Sequence, residues 1–429
     1  MKSNITNNIL TPLIVIILSC FSNIACSQID NTTLLQKKID KCFEEGKNCI
    51  LESKIYYVKK LNIKGSIQGQ NGTIIKRITK NNNNDKYNFC RIEDESDVLL
   101  RNLTIDGGSG SILDKNGAVP LSIVRSKNIT VDECTFLNSY GAGLRISQSN
   151  IITIKNSKSY NNYGEFGDGF YVEHSSNIAF VSVVASNYNR IGFVLDRNVE
   201  NVKFEGCKAS DGTNASILRG GKEYNAGFWF EKAGGVSLFN CVAFNNTHYG
   251  FVAVSGLDNH NERVSFSFNN CISYKNKVGF KSGSLGKNAV KVDFKDCKTY
   301  SVNSAFEITC KNPMDYYYIN GCEIGYNVTN NYSIGIHFNS NFHSSGKANL
   351  NVSNSKFVYP KSFSSRFLKS ASSYNSDFFI ADFEKVNVIT KSNLNSNNTP
   401  LTVKSPTMDI SRKSSLGGNH SFIKSSISK

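Results

Sequence analysis

One short phrase recurs along the middle of this chain and constrains its fold more than any other feature. Each copy is an apolar–polar strand that begins with Gly-Phe or a close variant, and an Asn-rich turn closes the unit. The aligned apolar residues are Leu144, Phe170, Phe193, Phe228, Phe251, Phe280 and Phe306. Steps of 23 to 35 residues separate them. A repeat of this length is typical of solenoids, in which each unit packs on its neighbours.

The units contain no periodic segment long enough for a helix, so each is predicted to be one coil of β-strands. A second position also recurs once per coil and is occupied mostly by cysteine. It predicts an interior ladder of small buried side chains. Cysteine occupies this position six times, and Ser157 and Val183 take it in the two coils between the first and second cysteine. The cysteines are Cys134, Cys207, Cys241, Cys271, Cys297 and Cys322. Stacked turn residues are predicted at Asn138, Asn161, Asn187 and Asn245. The predicted fold is all-β, a single-stranded right-handed parallel β-helix.

An amphipathic helix is predicted in front of the coils. In the segment NTTLLQKKIDKCFEEG, apolar residues recur at helical spacing. They are Leu34, Leu35, Ile39 and Phe43. A helix at this place would cap the open end of the solenoid, where a terminal coil otherwise exposes its core.

The chain divides into four segments by composition. Residues 1–27 resemble a secretory signal, because one lysine precedes an apolar run that is too short to span a bilayer well. A polar stretch at 81–97 is expected to interrupt the coils as a loop. The predicted segments are the signal peptide at 1–27, the cap and first coils at 28–97, the main coils at 98–389 and a weakly ordered Ser/Asn/Lys-rich tail at 390–429.

Charge and export limit the partners that this chain can have. Its formal net charge is +15, which favours an acidic partner such as an anionic polysaccharide. The basic residues are scattered, which argues against nucleic acid. We expect a secreted or cell-surface monomer with no membrane span in the mature chain. Lipoprotein anchoring through Cys20 or Cys26 is the alternative.

Strand alternation predicts which side chains face outwards. With the Gly-Phe phenylalanine inside, the next residue and the one two further on point out. The first outward column reads Arg145, Tyr171, Val194, Trp229, Val252, Lys281 and Glu307. The second reads Ser147, Glu173, Asp196, Glu231, Val254, Gly283 and Thr309, and basic residues follow three of these at His174, Arg197 and Lys232. Three neighbouring coils thus present a carboxylate beside a tyrosine and the only tryptophan.

The pattern resembles the pectin-lyase-like superfamily over roughly residues 29–389. This resemblance implies the β-helix fold, but the superfamily holds lyases, hydrolases, epimerases, tail spikes and adhesins. The Asn-Thr-Asp-Gly motif of polygalacturonases is matched here only at Asp168 and Gly169. The Tyr-Gly-Phe-Asp-Pro-His stretch of alginate epimerases is matched at Gly169 and Phe170, with His174 one place late. The Gly-Phe-Lys context of family-nine pectate lyases is matched at Lys281.

The three carboxylates permit several interpretations. Parallel coils lie about 4.8 Å apart, so Glu173 and Asp196 suit the ~5–5.5 Å separation of retaining glycosidases. The outer pair, Glu173 and Glu231, suits the ~6.5–9.5 Å of inverting enzymes. Alternatively the cluster holds Ca²⁺, the only cofactor we consider, which would neutralise a uronate carboxylate. A solvated ladder of salt bridges is the structural alternative.

The leading hypothesis is a lyase or C5-epimerase that acts on a uronate-containing polysaccharide. His174 or Lys281 would remove the C5 proton, and Arg197 or a cation would stabilise the enolate-like charge. Substrate contacts are expected from Arg145, Tyr171, Trp229, Lys232 and His248. The alternatives are a glycoside hydrolase that uses two of the three carboxylates, and a non-catalytic carbohydrate-binding or surface-adhesion module.

Overall fold

The computed structural model describes most of the chain between residues 29 and 391. Within that span it describes all residues except 79–88, 111–116, 165, 214–224, 255–263, 284–288, 302, 311, 313, 327–333, 341–347, 361–365, 373–378 and 385–386. The predicted signal peptide and almost all of the predicted tail lie outside the described residues.

Three parallel sheets run the length of the described chain, and each coil contributes one strand to each sheet. Every third strand is hydrogen-bonded to the next, so consecutive strands lie in different sheets. Sheets 1 and 2 hold 13 strands each and sheet 3 holds 12. This is the predicted all-β parallel β-helix with one N-terminal helix, α1, at Thr32–Glu44.

The strands, numbered in chain order, are distributed over the three sheets as follows. Sheet 1 contains β1 Cys49–Leu51, β4 Ile67–Gly69, β7 Leu99–Arg101, β10 Lys127–Asp132, β13 Asn150–Lys155, β16 Ser176–Val181, β19 Val199–Glu205, β22 Ala233–Phe239, β25 Val264–Asn269, β28 Val290–Lys295, β31 Tyr316–Asn320, β34 Ala348–Ser353 and β37 Phe379–Glu384. Sheet 2 contains β2 Ile55–Val58, β5 Ile74–Arg77, β8 Thr104–Asp106, β11 Thr135–Ser139, β14 Lys158–Asn162, β17 Val184–Tyr188, β20 Lys208–Ser210, β23 Val242–Phe244, β26 Ile272–Tyr274, β29 Lys298–Ser301, β32 Glu323–Tyr326, β35 Lys356–Pro360 and β38 Asn387–Lys391. Sheet 3 contains β3 Leu61–Asn62, β6 Cys90–Glu93, β9 Leu121–Val124, β12 Leu144–Ser147, β15 Phe170–Glu173, β18 Ile191–Asp196, β21 Ala226–Glu231, β24 Tyr249–Val254, β27 Val278–Gly283, β30 Ser304–Cys310, β33 Ile334–Ser340 and β36 Arg366–Ser372.

The repeated phenylalanines form one interior ladder on sheet 3, as predicted. From Phe170 to Phe306 the successive rings are stacked with centroids 4.8–5.2 Å apart and interplanar angles of 8–15°. Phenylalanines of sheet 1 meet this ladder edge-on, for example Phe180 against Phe193 at 5.6 Å. Each favourable ring pair adds about 0.5–1.5 kcal/mol beyond the burial of its area. The ladder therefore fixes the register of every coil that it joins.

The glycine before each phenylalanine is required by packing. Its missing side chain faces a column of small residues on sheet 2. A Cβ on Gly169 would lie 2.7 Å from the Cβ of Ala185, and one on Gly192 would lie 2.8 Å from that of Ala209. Neither glycine has positive φ. Since both the glycine and the phenylalanine face inwards, the residue before the glycine faces outwards again.

Replacement of Gly192 by alanine is expected to destabilise the protein by about 1–3 kcal/mol, as overpacking of a close-packed core does. The new methyl group would also lie 2.6 Å from the carbonyl oxygen of Gly227. Thermal denaturation followed by circular dichroism measures the loss. Gly141→Ala is the control, because its nearest neighbour is a side-chain methyl of Val119 at 3.2 Å. Equal stabilities for the two variants would contradict the role of packing at Gly192.

The predicted cysteine ladder and asparagine turns are both present. The six cysteines of the ladder are buried. Asn138, Asn161 and Asn187 adopt positive φ angles, and their amides are linked from coil to coil. Asn245 also has positive φ and donates to Asp211 at 2.7 Å. These side chains stabilise a left-handed turn that short polar residues tolerate.

Two expectations for the N-terminal region need correction. Helix α1 buries Leu35 and Ile39 but leaves Leu34 and Phe43 largely exposed, so its buried face is narrower than predicted. The loop expected at 81–97 ends early, because Cys90–Glu93 is a strand of sheet 3. In the part of the chain that the structure describes, no helix is long and apolar enough to cross a membrane.

Candidate functional site

The outward columns of sheet 3 lie in the predicted register. Arg145 pairs with Tyr171 and Tyr171 with Val194, while Ser147 pairs with Glu173 and Glu173 with Asp196. Farther along, Trp229 pairs with Val252, Glu231 with Val254 and Val252 with Lys281. The carboxylates of the second column therefore stand on one wall of the solenoid.

A cleft of about 260 Å³ opens on this wall, outside strands β12, β15 and β18. It is lined by Tyr140, Gly141, Ala142, Arg145, Phe166, Asp168, Tyr171, Glu173, Arg190, Asp196 and Arg197. Five of these residues were predicted for the site, namely Arg145, Tyr171, Glu173, Asp196 and Arg197. The cleft combines three arginines, three carboxylates and two tyrosines.

Glu173 is the most firmly held of the predicted carboxylates, and only 5% of the residue is exposed. Its Oε1 accepts hydrogen bonds from the guanidinium of Arg145 and, at 3.1 Å, from the hydroxyl of Ser147. Its Oε2 accepts from Tyr171 at 3.3 Å and from Arg197 at 3.5 Å. Four donors therefore hold this carboxylate in place.

Tyr171 connects the two carboxylates of the cleft. Its hydroxyl lies 3.0 Å from Oδ2 of Asp196 and 3.3 Å from Oε2 of Glu173. Burial raises the pKa of the Tyr171 phenol well above its ordinary value, and the charges of Asp196 and Glu173 raise it further. The hydroxyl is therefore a protonated donor at neutral pH. Asp196 is the more accessible acid, with 27% of its side chain exposed.

Alkaline unfolding should report on Tyr171. Because the folded state holds this phenol proton more tightly than the unfolded chain, its contribution is complete below the ordinary tyrosine pKa of 10.0. Stability is lost as pH rises above that value. We expect Tyr171→Phe to be less stable than the wild type at neutral pH, by about 1–3 kcal/mol for a lost hydrogen bond to charge. The difference should narrow above about pH 10 in urea unfolding, and a constant difference would contradict the shift.

Asp168 and Arg190 form an ion pair in the cleft that the sequence pattern did not predict. Arg190 Nε lies 2.7 Å from Oδ1 of Asp168, and a second guanidinium nitrogen binds Oδ2. The backbone N–H of Ile191 donates to the same carboxylate at 3.2 Å. Burial opposes charge on Arg190, but the neighbouring Asp168 outweighs it and raises the pKa of the guanidinium. Asp168 directly precedes Gly169, and the residue at that position faces outwards because Gly169 and Phe170 both face inwards. This position in the repeat was the sequence signal that could have identified Asp168.

Glu231 and Trp229 are not part of the cleft lining. The indole N–H of Trp229 donates to Glu231 at 3.3 Å, and the indole packs edge-on against Tyr249 with centroids 6.0 Å apart. Both Trp229 and Tyr171 border an apolar cluster on the outer side of sheet 3. Its buried members are Ile191, Val194, Ala226, Tyr249, Val252, Val254 and Val278. Of the three carboxylates that were expected on one surface, Glu173 and Asp196 therefore line the cleft, and Glu231 lies outside it.

Lys281 and His248 meet at Tyr249, away from the cleft. The ammonium group of Lys281 lies 3.1 Å from the Tyr249 hydroxyl and 4.7 Å from the ring centroid. The His248 ring is 4.3 Å from the same ring. Four strand spacings of about 4.8 Å separate Lys281 from Tyr171. Lys281 therefore cannot share a small substrate group with Tyr171.

The three basic residues that follow the acids occupy a corner of the coil. His174, Arg197 and Lys232 have φ angles of 47°, 58° and 55°, since the strand ends there in a left-handed turn. Arg197 turns back to the cleft, where its Nε lies 3.7 Å from Asp196. His174 follows Glu173 directly and is exposed, but it does not line the cleft.

The calcium alternative does not fit the donors. Among the residues described, no group of three or more His, Cys, Asp or Glu side chains could hold a metal ion. Glu173 is directed to Arg145 and Tyr171, and Glu231 is directed to Trp229. A Ca²⁺ ion needs six to eight oxygen ligands, and these acids do not converge to supply them.

Comparisons with known proteins agree with the architecture. The family model for a right-handed beta helix region matches residues 66–225. The three parallel sheets of the described chain have the right-handed β-helix fold that this model describes. No curated protein sequence matches this β-helix.

Solved structures of several proteins share the fold. The A-module of mannuronan C-5 epimerase AlgE6 from Azotobacter vinelandii is 13% identical, with 84% of this chain and 95% of that one covered and a TM-score of 0.60. The AlgE4 A-module of the same organism is 15% identical, with 75% and 92% covered and a TM-score of 0.51. At such identities the likeness shows the fold of this β-helix alone.

Proposed function

We propose that this β-helix is a secreted, polysaccharide-active enzyme that acts on a uronate-containing polymer as a lyase or C5-epimerase. The observation that carries the proposal is the tyrosine that bridges Asp196 and Glu173 between Arg145 and Arg197. A cleft of this kind offers a proton acceptor, a proton donor and cations for a carboxylate within one small volume.

The roles follow from exposure and charge. Arg197, with 61% of its side chain exposed, can reach a uronate carboxylate and reduce its negative charge. That makes the C5 proton more acidic, and Asp196 accepts it while the electron pair moves into the carboxylate. Tyr171 then donates its proton to C5 for epimerisation, or to the leaving O4 as the C4–O bond breaks in elimination. The proton on Asp196 passes to the resulting phenolate across their 3.0 Å hydrogen bond, which restores both groups.

Other observations support the same substrate class. Two structures with TM-scores above 0.5 are mannuronan C-5 epimerase modules. The net charge of +15 favours an anionic polymer. His174, which is exposed directly after Glu173, is the second candidate for the base, whereas Lys281 is too distant from Tyr171 to serve the same sugar unit.

A glycoside hydrolase is the second candidate function. One hydroxyl reaches both Glu173 and Asp196, which is compatible with the ~5–5.5 Å separation of retaining glycosidases. Glu173 would have to act as nucleophile or acid, yet four donors already hold it. This argues for a fixed electrostatic role and places hydrolysis second.

One experiment separates these functions. The protein is incubated in D₂O with polymannuronate, alginate, pectate and glycosaminoglycans. Deuterium at C5 with no chain cleavage would support epimerisation, and unsaturated products that absorb in the near ultraviolet would support lyase chemistry. New reducing ends without that absorbance would indicate hydrolysis and overturn the proposal. Binding without any product would instead support a carbohydrate-binding or adhesion module.

A further inference from the structure

Two cysteines meet where the cap helix joins the first coil. Cys42 lies in the last turn of α1 and Cys49 is the first residue of β1. The turn between them is tight, because the N–H of Lys47 donates to the carbonyl of Cys42 at 2.8 Å and Gly46 adopts a φ of 63°. Cys42 packs against the core that contains Cys49, and the Cys42 thiol is near enough to contribute to the raised pKa of Cys49. Both are free thiols in this structure.

The two cysteines differ in access. Cys49 is 1% exposed and belongs to the main core, whereas Cys42 is partly exposed and packs against that core. Burial raises the pKa of the Cys49 thiol to about 12. Cys42 is therefore the thiol that an outside reagent meets first, and Cys49 is the neighbour that can resolve the adduct.

The interior cysteine ladder provides a contrast within the same chain. Its members are buried, and the five from Cys207 to Cys322 lie on successive coils of the core. Several of their thiols donate to backbone carbonyls, for example Cys297 to Phe268 at 3.3 Å. Of the cysteines that the structure describes, Cys42 alone is partly exposed, and it lies at the cap and not beside the ladder. Solvent exposure of Cys42 therefore distinguishes the cysteine pair at the cap from the buried cysteines of the ladder.

We propose that Cys42 and Cys49 form a disulfide that fastens the cap helix to the first coil. A small-molecule disulfide such as glutathione disulfide is the oxidant. The Cys42 thiolate attacks one of its sulfurs and releases one glutathione thiol, and the Cys49 thiolate then attacks the Cys42 sulfur and releases the second. Two electrons and two protons pass from the protein to the oxidant. The inference is independent of the proposed activity.

Peptide mapping tests the cross-link directly. The full chain is incubated with glutathione disulfide, its remaining thiols are alkylated, and it is digested with trypsin without reductant. Cleavage after Lys41, Lys47 and Lys54 separates the peptides CFEEGK and NCILESK. They are expected to appear joined, with a mass two hydrogens below their sum, and to separate on reduction. Full alkylation of both peptides in the oxidised protein would overturn the proposal.

Thermal denaturation supplies the second readout. The midpoint of the wild type is expected to rise by several degrees on oxidation and to return on reduction, because a closed loop restricts the unfolded chain. Cys42→Ser, at the partly exposed position, should fold normally and lose this response. Cys271→Ser, in the interior ladder, should retain it. A response that persists in Cys42→Ser would assign the effect to other thiols and contradict the proposed pair.

Discussion

Replacement of Asp196 by asparagine is expected to lower the turnover number on the preferred uronate polymer by about 10²–10⁴-fold, the usual contribution of a general acid–base group. The amide oxygen can still accept the hydrogen bond that Tyr171 donates at 3.0 Å, so the cleft keeps its shape. What the variant loses is the ability to take a proton. The Michaelis constant should change little, because Arg145 and Arg197 remain. Steady-state kinetics and a thermal melt of the same preparation measure both effects.

Glu231→Gln is the matched control for this prediction. Glu231 occupies the same outward column, but its carboxylate is bonded to Trp229 and does not line the cleft. We expect its activity to match that of the wild type. Equal losses of activity in Asp196→Asn and Glu231→Gln would show that the carboxylates of this column act only through their negative charge, and that Asp196 has no separate role as a base. Full activity in Asp196→Asn would transfer the role of base to another residue, with His174→Ala as the next variant to test.

The register of the solenoid was predictable from sequence because the fold repeats. In each pair of neighbouring coils the repeated phenylalanines are paired, for example Phe170 with Phe193. The spacing between these two residues therefore determines which other side chains of the two strands are neighbours. The pairing of Glu173 with Asp196 follows directly from that alignment. The interior cysteines obey the same rule, since one buried position per coil repeats the same environment.

Contacts across the wall were not predictable in the same way. Strict alternation gives no outward position for Asp168, because the packing of Gly169 against Ala185 places two inward residues in succession. Likewise, alternation places Trp229 outside but cannot show that Tyr249 packs against it. These contacts depend on side-chain conformation and on residues distant in sequence. They decide which of the aligned carboxylates share a cleft.

Replacement of Arg190 by methionine is expected to lower the free energy of unfolding by about 3–5 kcal/mol, the cost of leaving a buried charge without its partner. Only 1% of the Asp168 side chain and 13% of that of Arg190 are exposed. Methionine keeps much of the volume of arginine but provides no donor, so the Asp168 carboxylate would lose both guanidinium hydrogen bonds while the N–H of Ile191 still donates to it. Urea denaturation measures the loss.

Two comparisons show whether the cost arises from the uncompensated charge. Adding Asp168→Asn to Arg190→Met removes the buried charge while its amide oxygen can still accept from Ile191, so the double variant should regain part of the lost stability. Lys54→Met breaks an exposed pair with Glu52 and should leave stability nearly unchanged. Since the ion pair lines the same cleft as Glu173 and Tyr171, the double variant should also regain activity in step with stability. A double variant less stable than Arg190→Met would show that Asp168 stabilises the cleft through its other contacts and not through its charge pair.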